Sequence, residues 1–155
     1  HRVIVPILSP EGAWWGWVGR DWTGQNERKY LNSTGMTVGS DGHFFNHAAL
    51  LADTPVPLLV MEGCFDALAY WPDAVAVLGK PTEPQIQALL AAPRPIAVVL
   101  DGDAWREGEM LGLRLRMDGQ LAGSVRMPPG MDPDEIDPAA LRQQAEECLG
   151  TAQDM

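Results

Sequence analysis

The chain has 155 residues, of which 46% are hydrophobic and 21% charged, and this composition is typical of a folded chain rather than a disordered or fibrous one. Its length allows one hydrophobic core with a small satellite subdomain and excludes two full-sized domains. No apolar run reaches the roughly 18 residues of a membrane span, and the chain opens without a Met, a signal segment or a lipidation motif. We therefore expect a cytoplasmic piece of a longer protein, without membrane contact.

The formal charge of −10 is concentrated in the second part of the chain. Residues 1–50 contain four basic and four acidic residues, whereas residues 51–155 contain seven basic and 17 acidic ones. Such an acidic chain is unusual for a nucleic-acid binder, whose surface is usually basic. A cluster of carboxylates that binds divalent cations also gives a chain a large negative formal charge, because the charges of the bound ions are not counted in the sequence.

The first part of the chain predicts a β-hairpin followed by a loop. Residues 3–8 are apolar and β-branched, residues 9–12 carry turn signals, and residues 13–22 predict a second strand. Residues 23–41 are polar and contain glycine, which predicts an ordered loop, and residues 47–53 predict a short helix.

Four tryptophans occupy the second strand. Alternation places Trp15 and Trp17 on one face and Trp14 and Trp22 on the other. We expect one pair to pack as core or at a subdomain interface, which leaves the other available to stack on bases.

From residue 57 onward, apolar strands alternate with helices. The predicted strands are 57–61, 75–78, 96–100 and 124–127, and the predicted helices are 65–71, 83–92, 104–121 and 138–149, the last capped by Asp137. Continuous apolar strands between short helices predict a parallel sheet covered on both faces. The fold class is therefore α/β, preceded by a small α+β subdomain with a β-hairpin. A proline-containing stretch at 54–57 predicts the boundary between units 1–54 and 55–155.

Acidic residues fall where the predicted strands end. They form three clusters, Glu62 with Asp66, Asp101 with Asp103, and Asp132 with Asp134. Ligands of parallel sheets bind at the carboxyl ends of the strands, and crowded carboxylates repel one another until a cation such as Mg²⁺ or Mn²⁺ binds. Gly63 and Gly102 beside them allow sharp turns. A single acid at a helix start is more usually an N-cap, so the metal interpretation depends on all three clusters together.

Two of these segments resemble the Toprim domain. Glu-Gly-Cys-Phe-Asp at 62–66 and Asp-Gly-Asp at 101–103 are similar to the acidic motifs shared by DnaG-type primases, type IA and II topoisomerases, OLD-family nucleases and RecR proteins.

Further segments narrow the resemblance to the catalytic core of DnaG-type bacterial and phage primases. They are the Pro-Ile strand within 3–7, Trp-Gly-Trp-Val-Gly-Arg at 15–20, Arg-Lys-Tyr-Leu-Asn-Ser at 28–33 and Pro-Gly-Met-Asp-Pro-Asp-Glu at 129–135. The resemblance covers residues 2–137. The family's Ala-Gly after the second acidic motif is replaced here by Ala-Trp-Arg-Glu-Gly at 104–108, which suggests a divergent member, phage- or plasmid-borne.

The resemblance implies a small subdomain at 1–54, a Toprim domain at 55–155, and synthesis of short RNA primers on single-stranded DNA by two-metal nucleotidyl transfer. It implies Glu62, Asp101 and Asp103 as catalytic ligands of two or more Mg²⁺ or Mn²⁺ ions, with Asp66, Asp132 and Asp134 completing the metal set. It also implies nucleic-acid or nucleotide contacts from Arg20, Lys29, Asn32 and Lys80. Ribonucleoside triphosphates would be substrates, and a replicative helicase would bind through regions outside this chain.

Two other functions use the same fold. A Toprim nuclease would employ these acids with water as the nucleophile and would cut DNA. A non-catalytic DNA-binding or scaffold module would retain the fold and lose the metal ligands, whereas all the acids of the pattern are present here.

Overall fold

An antiparallel sheet opens the structure, a computed structural model that describes residues 1–153. Its strands β1 (Arg2–Leu8), β2 (Trp14–Asp21) and β3 (Tyr30–Asn32) lie in that order across the sheet. β1 and β2 form the predicted hairpin. The prediction of a loop throughout 23–41 was wrong at β3, whose residues are all exposed and carry no alternating pattern. This strand forms because its backbone pairs with the edge of β2, with Asn32 opposite Val18.

The tryptophans of β2 divide as alternation predicts. Trp14 and Trp22 are 62% and 68% exposed, whereas Trp15 and Trp17 are half-buried. The Trp15 ring stacks on His43 with a centroid distance of 3.8 Å. Trp15 packs against the core at the irregularity in the pairing of β1 and β2, whereas the regular part of β2 contributes Val18, which lies on the face opposite Trp17.

A parallel four-stranded sheet forms the second part. Its strands are β4 (Leu58–Met61), β5 (Ala74–Ala76), β6 (Ile96–Val98) and β7 (Ala122–Ser124), in the order β5-β4-β6-β7. The helices are α1 (His47–Leu51), α2 (Cys64–Ala69), α3 (Glu83–Leu90), α4 (Trp105–Met117) and α5 (Pro138–Gln153). The predicted α/β fold class is confirmed. Asp137 Oδ2 accepts a hydrogen bond from Ala140 N at 3.0 Å, as expected of a cap for α5.

The last strand begins two residues before its predicted start at residue 124. β7 consists of Ala122, Gly123 and Ser124, and a Cβ on Gly123 would lie 2.7 Å from Cys148 Sγ on α5. Small residues are therefore required where helices pack closely on this strand. Because Ala, Gly and Ser have low strand propensity, the sequence did not indicate where this strand begins.

The core has one layer on each face of the parallel sheet. Leu58 and Val60 of β4 point into one layer, and Leu59 and Met61 point into the other. The second layer also contains Ile7 and other apolar residues of the hairpin, so a continuous core runs under both sheets. The division at residues 54 and 55 stays a prediction.

Two further contacts attach the first part to the parallel sheet. Phe45 forms a backbone bridge with Ala76, and Asn46 Nδ2 donates to the carbonyl oxygens of Pro72 and Ala74 at 3.0 and 2.8 Å. The antiparallel sheet is therefore held in a defined place relative to the ends of the parallel strands. Across residues 1–153, no helix has the length and apolar character needed to cross a membrane.

Candidate active site

A cleft of about 370 Å³ lies between the antiparallel sheet and the carboxyl ends of β4 and β6. Eight of the predicted site residues line it: Glu62, Asp66, Asp101, Asp132, Asp134, Arg20, Lys29 and Asn32. The other two, Asp103 and Lys80, line an adjoining cleft of about 670 Å³, which shares Glu62, Asp101 and Asp132 with the first. The fold thus gathers carboxyl groups from three separate loops.

Asp101 has the least satisfied carboxyl group of the site. It follows the buried end of β6, and its Oδ1 atom is buried without a hydrogen-bond partner. Burial raises the pKa of Asp101, and the neighbouring carboxylates of Asp132, Asp134 and Asp103 raise it further. An unpartnered buried oxygen costs on the order of 1–3 kcal/mol, which a cation at this position would recover.

Glu62 stands at the end of β4, where both clefts meet. Burial is the main cause that raises its pKa, and the charges of Asp101 and Asp132 add to it. The Lys80 ammonium acts in the opposite direction. The carboxyl groups of Glu62 and Asp101 therefore both lie in a partly buried, acidic environment.

Asp66 lies in the first turn of α2, and its carboxyl group folds back over the preceding loop. A Cβ at position 63 would lie 2.6 Å from Asp66 Oδ2, so Gly63 makes room for this carboxyl group. Burial, followed by the charges of Asp101, Asp134 and Asp132, raises the pKa of Asp66 to about 7.

Asp132 and Asp134 lie on a loop that is held at two places. Asp132 caps the short 3₁₀ helix Pro133–Glu135, and its backbone N–H donates to Glu135 Oε2 at 2.8 Å. The buried Tyr70 hydroxyl donates to the carbonyl oxygens of Pro133 and Ile136, at 2.6 and 3.1 Å.

On its other side the loop packs against Gly102, whose backbone N–H donates to the Met131 carbonyl oxygen at 3.2 Å. A Cβ on Gly102 would overlap the carbonyl oxygen of Pro128. The chain turns at both glycines, in a bend at Gly63 and in a 3₁₀ turn that begins at Gly102, but neither glycine has a positive φ, so close approach explains why glycine is required. The sequence did not indicate the role of Tyr70, because its acceptor Pro133 lies 63 residues further along the chain and no local motif connects the two residues.

Basic side chains approach the acids from the antiparallel sheet. Arg20 on β2 is paired in register with Tyr30 on β3, and its guanidinium carbon lies 5.8 Å from the Tyr30 ring centroid and 5.1 Å from that of Phe65. Lys29 Nζ lies 5.6 Å from the Tyr30 centroid. In the described part of the chain, neither basic group forms an ion pair. Their charges therefore face the cleft unneutralised.

The donor set fits a hard divalent cation, because the converging acidic groups are oxygen ligands and one buried oxygen lacks a partner. Within residues 1–153, however, no group of three or more His, Cys, Asp or Glu side chains is arranged to hold an ion by itself. This arrangement suits Mg²⁺, which is usually held by one or two carboxylates together with waters and substrate phosphates.

Comparisons with known proteins find DNA primases that are similar to this chain in sequence and in fold. A DNA primase of Aquifex aeolicus is 30% identical in an alignment of 147 residues that covers 88% of this chain and 29% of that protein. The crystal structure of the zinc-binding and RNA polymerase domains of the Aquifex aeolicus primase has a TM-score of 0.74 and 27% identity, over 97% of this chain and 40% of that one. A DnaG primase catalytic domain bound to single-stranded DNA has a TM-score of 0.75 and 29% identity, over 99% of this chain and 55% of that one.

No protein-family model matches the chain. The fold is nevertheless similar to those of the Aquifex aeolicus primase and of the DnaG primase catalytic domain over almost the whole chain. The chain spans less than a third of the curated relative and about half of the solved cores.

Proposed function

We propose that this chain is the catalytic core of a DNA primase, which synthesises short RNA primers on single-stranded DNA from ribonucleoside triphosphates. The observation that carries the proposal is the cleft in which acids from three loops face Arg20 and Lys29 from the other sheet. In this proposal residues 55–155 form a Toprim domain and residues 1–54 a smaller subdomain. A replicative helicase partner would bind outside this chain.

In the proposed mechanism, Glu62, Asp101 and Asp103 hold Mg²⁺ or Mn²⁺, and Asp66, Asp132 and Asp134 complete the set. Such ions, when bound, lower the pKa of a primer 3′-hydroxyl and stabilise the charge that develops on pyrophosphate. The protein brings the carboxyl groups together before any ion binds, at the cost in burial and repulsion that raises the pKa values of Glu62, Asp66 and Asp101.

Arg20 and Lys29 form a basic wall on the side of the cleft opposite the acids, and this wall positions the polyanionic substrates. The Arg20 guanidinium packs against both the Tyr30 and Phe65 rings, whose centroids are 6.3 Å apart, so little side-chain freedom is lost when it contacts a phosphate. Lys29 and Asn32 lie on the same side of the cleft, and Lys80 approaches from the adjoining one. Fixed donors of this kind orient the triphosphate or the template for in-line attack.

A nuclease would use the same acids, so the acids alone do not separate the two activities. The basic wall built by β2 and β3 favours the primase, because the likeness to primase cores extends through this antiparallel sheet. A scaffold function is disfavoured, because a scaffold has no need for an unpartnered buried carboxylate oxygen at Asp101.

The test is incubation of the chain with labelled ribonucleotides, single-stranded DNA and Mg²⁺ or Mn²⁺, followed by gel electrophoresis. We expect short labelled RNA, lost in Asp101→Asn and reduced in Lys29→Ala. Glu146→Gln removes an exposed carboxylate of α5 outside both clefts and serves as the charge-matched control. Metal-dependent shortening of the DNA without labelled product would instead identify a nuclease.

A further inference from the structure

Trp105 lies beneath two arginines at the edge of the acidic site. The guanidinium carbon of Arg126 is 3.9 Å from the Trp105 ring centroid, and that of Arg106 is 5.1 Å from the same centroid. Trp105 is half-buried, whereas both arginines are exposed. The indole thus anchors two cationic groups whose remaining N–H donors face solvent.

Three other arginines in the acidic part of the chain are neutralised by ion pairs. Arg94 and Arg142 pair with Asp73, at 2.8 and 3.5 Å, and Arg114 pairs with Glu83 at 2.6 Å. Arg106 and Arg126 form no ion pair with any residue among 1–153.

The two guanidinium groups are also close to each other. Because both distances are measured to one centroid, their carbons are no more than about 9 Å apart. Two like charges within this distance repel each other, and an anion that both groups contact would relieve the repulsion.

The fold places this pair beside the acids. β7 is parallel to β6, and Arg126 follows the carboxyl end of β7, at the sheet edge where Asp101 follows β6. Trp105 begins α4 directly after the 3₁₀ turn Gly102–Ala104, which contains Asp103. Since Gly102 packs on Pro128, the two segments that carry Trp105 and Arg126 are held together.

We infer that Trp105, Arg106 and Arg126 form a second phosphate-binding site, which holds the backbone of a single nucleic-acid strand as it passes the rim of the acidic cleft. The inference rests on the proposed primase function only for the role of that strand as template or product. The anchored guanidinium groups donate to phosphate oxygens, and the indole keeps them in place. Trp105 and Arg106 lie in the segment 104–108, where the resemblance to the primase pattern is interrupted.

The experiment measures fluorescence anisotropy of labelled single-stranded DNA and RNA oligonucleotides of equal length, without divalent cations or triphosphates. The full chain is compared with the double variant Arg106→Gln, Arg126→Gln over a salt series from about 20 to 200 mM. Each phosphate contact on a single strand contributes about 0.7 to the slope of log affinity against log salt. We therefore expect the double variant to lose a slope of about 1.4, so that its loss of affinity is about 25-fold larger at 20 mM salt than at 200 mM.

Arg116→Gln removes one positive charge at the other end of α4 and is the control for a nonspecific loss of charge. Trp105→Leu should weaken binding, and Trp105→Phe should restore most of it, because a ring face remains for Arg126. Equal losses on DNA and RNA indicate backbone recognition, and a loss on only one of them assigns the site to template or to product.

A double variant that binds with the slope of Arg116→Gln overturns the inference, as does undetectable binding by the unsubstituted chain at the lowest salt. Primer synthesis is assayed separately, so the proposed function can fail while this site stands. Thermal unfolding of each variant verifies that it is folded.

Discussion

Gly102 packs so closely against Pro128 that any Cβ at position 102 would overlap the Pro128 carbonyl oxygen. This contact joins the loop that carries Asp101 and Asp103 to the loop that carries Asp132 and Asp134. The relative position of two acidic clusters therefore depends on the absence of one side chain.

The first prediction concerns this contact. Gly102→Ala should displace the loop at 128–131, weaken Mn²⁺ binding measured by calorimetry at least tenfold, about 1.4 kcal/mol, and abolish primer synthesis. Gly150→Ala in α5 is the control, because a Cβ at this position would meet nothing within 4 Å and alanine should stabilise the helix by about 0.5–1 kcal/mol. Unchanged Mn²⁺ affinity in a folded Gly102→Ala protein would contradict the prediction.

The second prediction separates function from stability at Asp101. Its carboxyl group is buried among other carboxylates, and one oxygen has no partner. Asp101→Asn should therefore leave the metal-free protein as stable as the original, or more stable, while Mn²⁺ affinity falls at least tenfold and primer synthesis disappears. Thermal unfolding in a chelator and calorimetric titration with Mn²⁺ measure the two effects. A clear drop in Tm without metal would make Asp101 a structural residue.

The third prediction is a pH dependence caused by Asp66. Its pKa is about 7 in the folded chain, against an ordinary value of 3.8. Between these values the unfolded chain releases the proton and the folded chain keeps it, so the contribution of Asp66 to the free energy of unfolding falls as the pH rises from about 4 to 7. Asp66→Asn removes this loss. In a chelator, the Tm of Asp66→Asn minus that of the original chain should increase from pH 5 to 7.5, and a difference that does not change with pH would disprove the assignment.

The fourth prediction tests the anchor of the acidic loop. The Tyr70 side chain is fully buried, and its raised pKa of about 12 keeps the hydroxyl protonated as a donor to Pro133 and Ile136. Tyr70→Phe conserves the ring and removes the donor, which should lower the free energy of unfolding by about 1–3 kcal/mol. Because the loop loosens, Mn²⁺ affinity should fall as well. A variant with unaltered urea unfolding and unaltered Mn²⁺ affinity would show that the loop is held by other contacts.

Local pattern determined much of this protein. Apolar runs with acids at their ends predicted the parallel strands and placed Glu62 and Asp101 at one edge of the sheet. This was possible because a buried parallel strand is a continuous apolar run, and the polar residues that follow the run mark where the strand ends. The turn signals at 9–12 likewise predicted the hairpin.

Tertiary structure alone decided the rest, because the partners lie far apart in the chain and leave no local pattern. β3 exists through pairing with β2, and β7 lies on small residues that admit α5. Arg94 looks like Arg126 in the sequence, yet Arg94 is buried against Asp73 and Arg126 is exposed over Trp105. Which charges are neutralised and which remain available to a ligand depends on contacts across 20 or more residues, and only the folded chain brings those residues together.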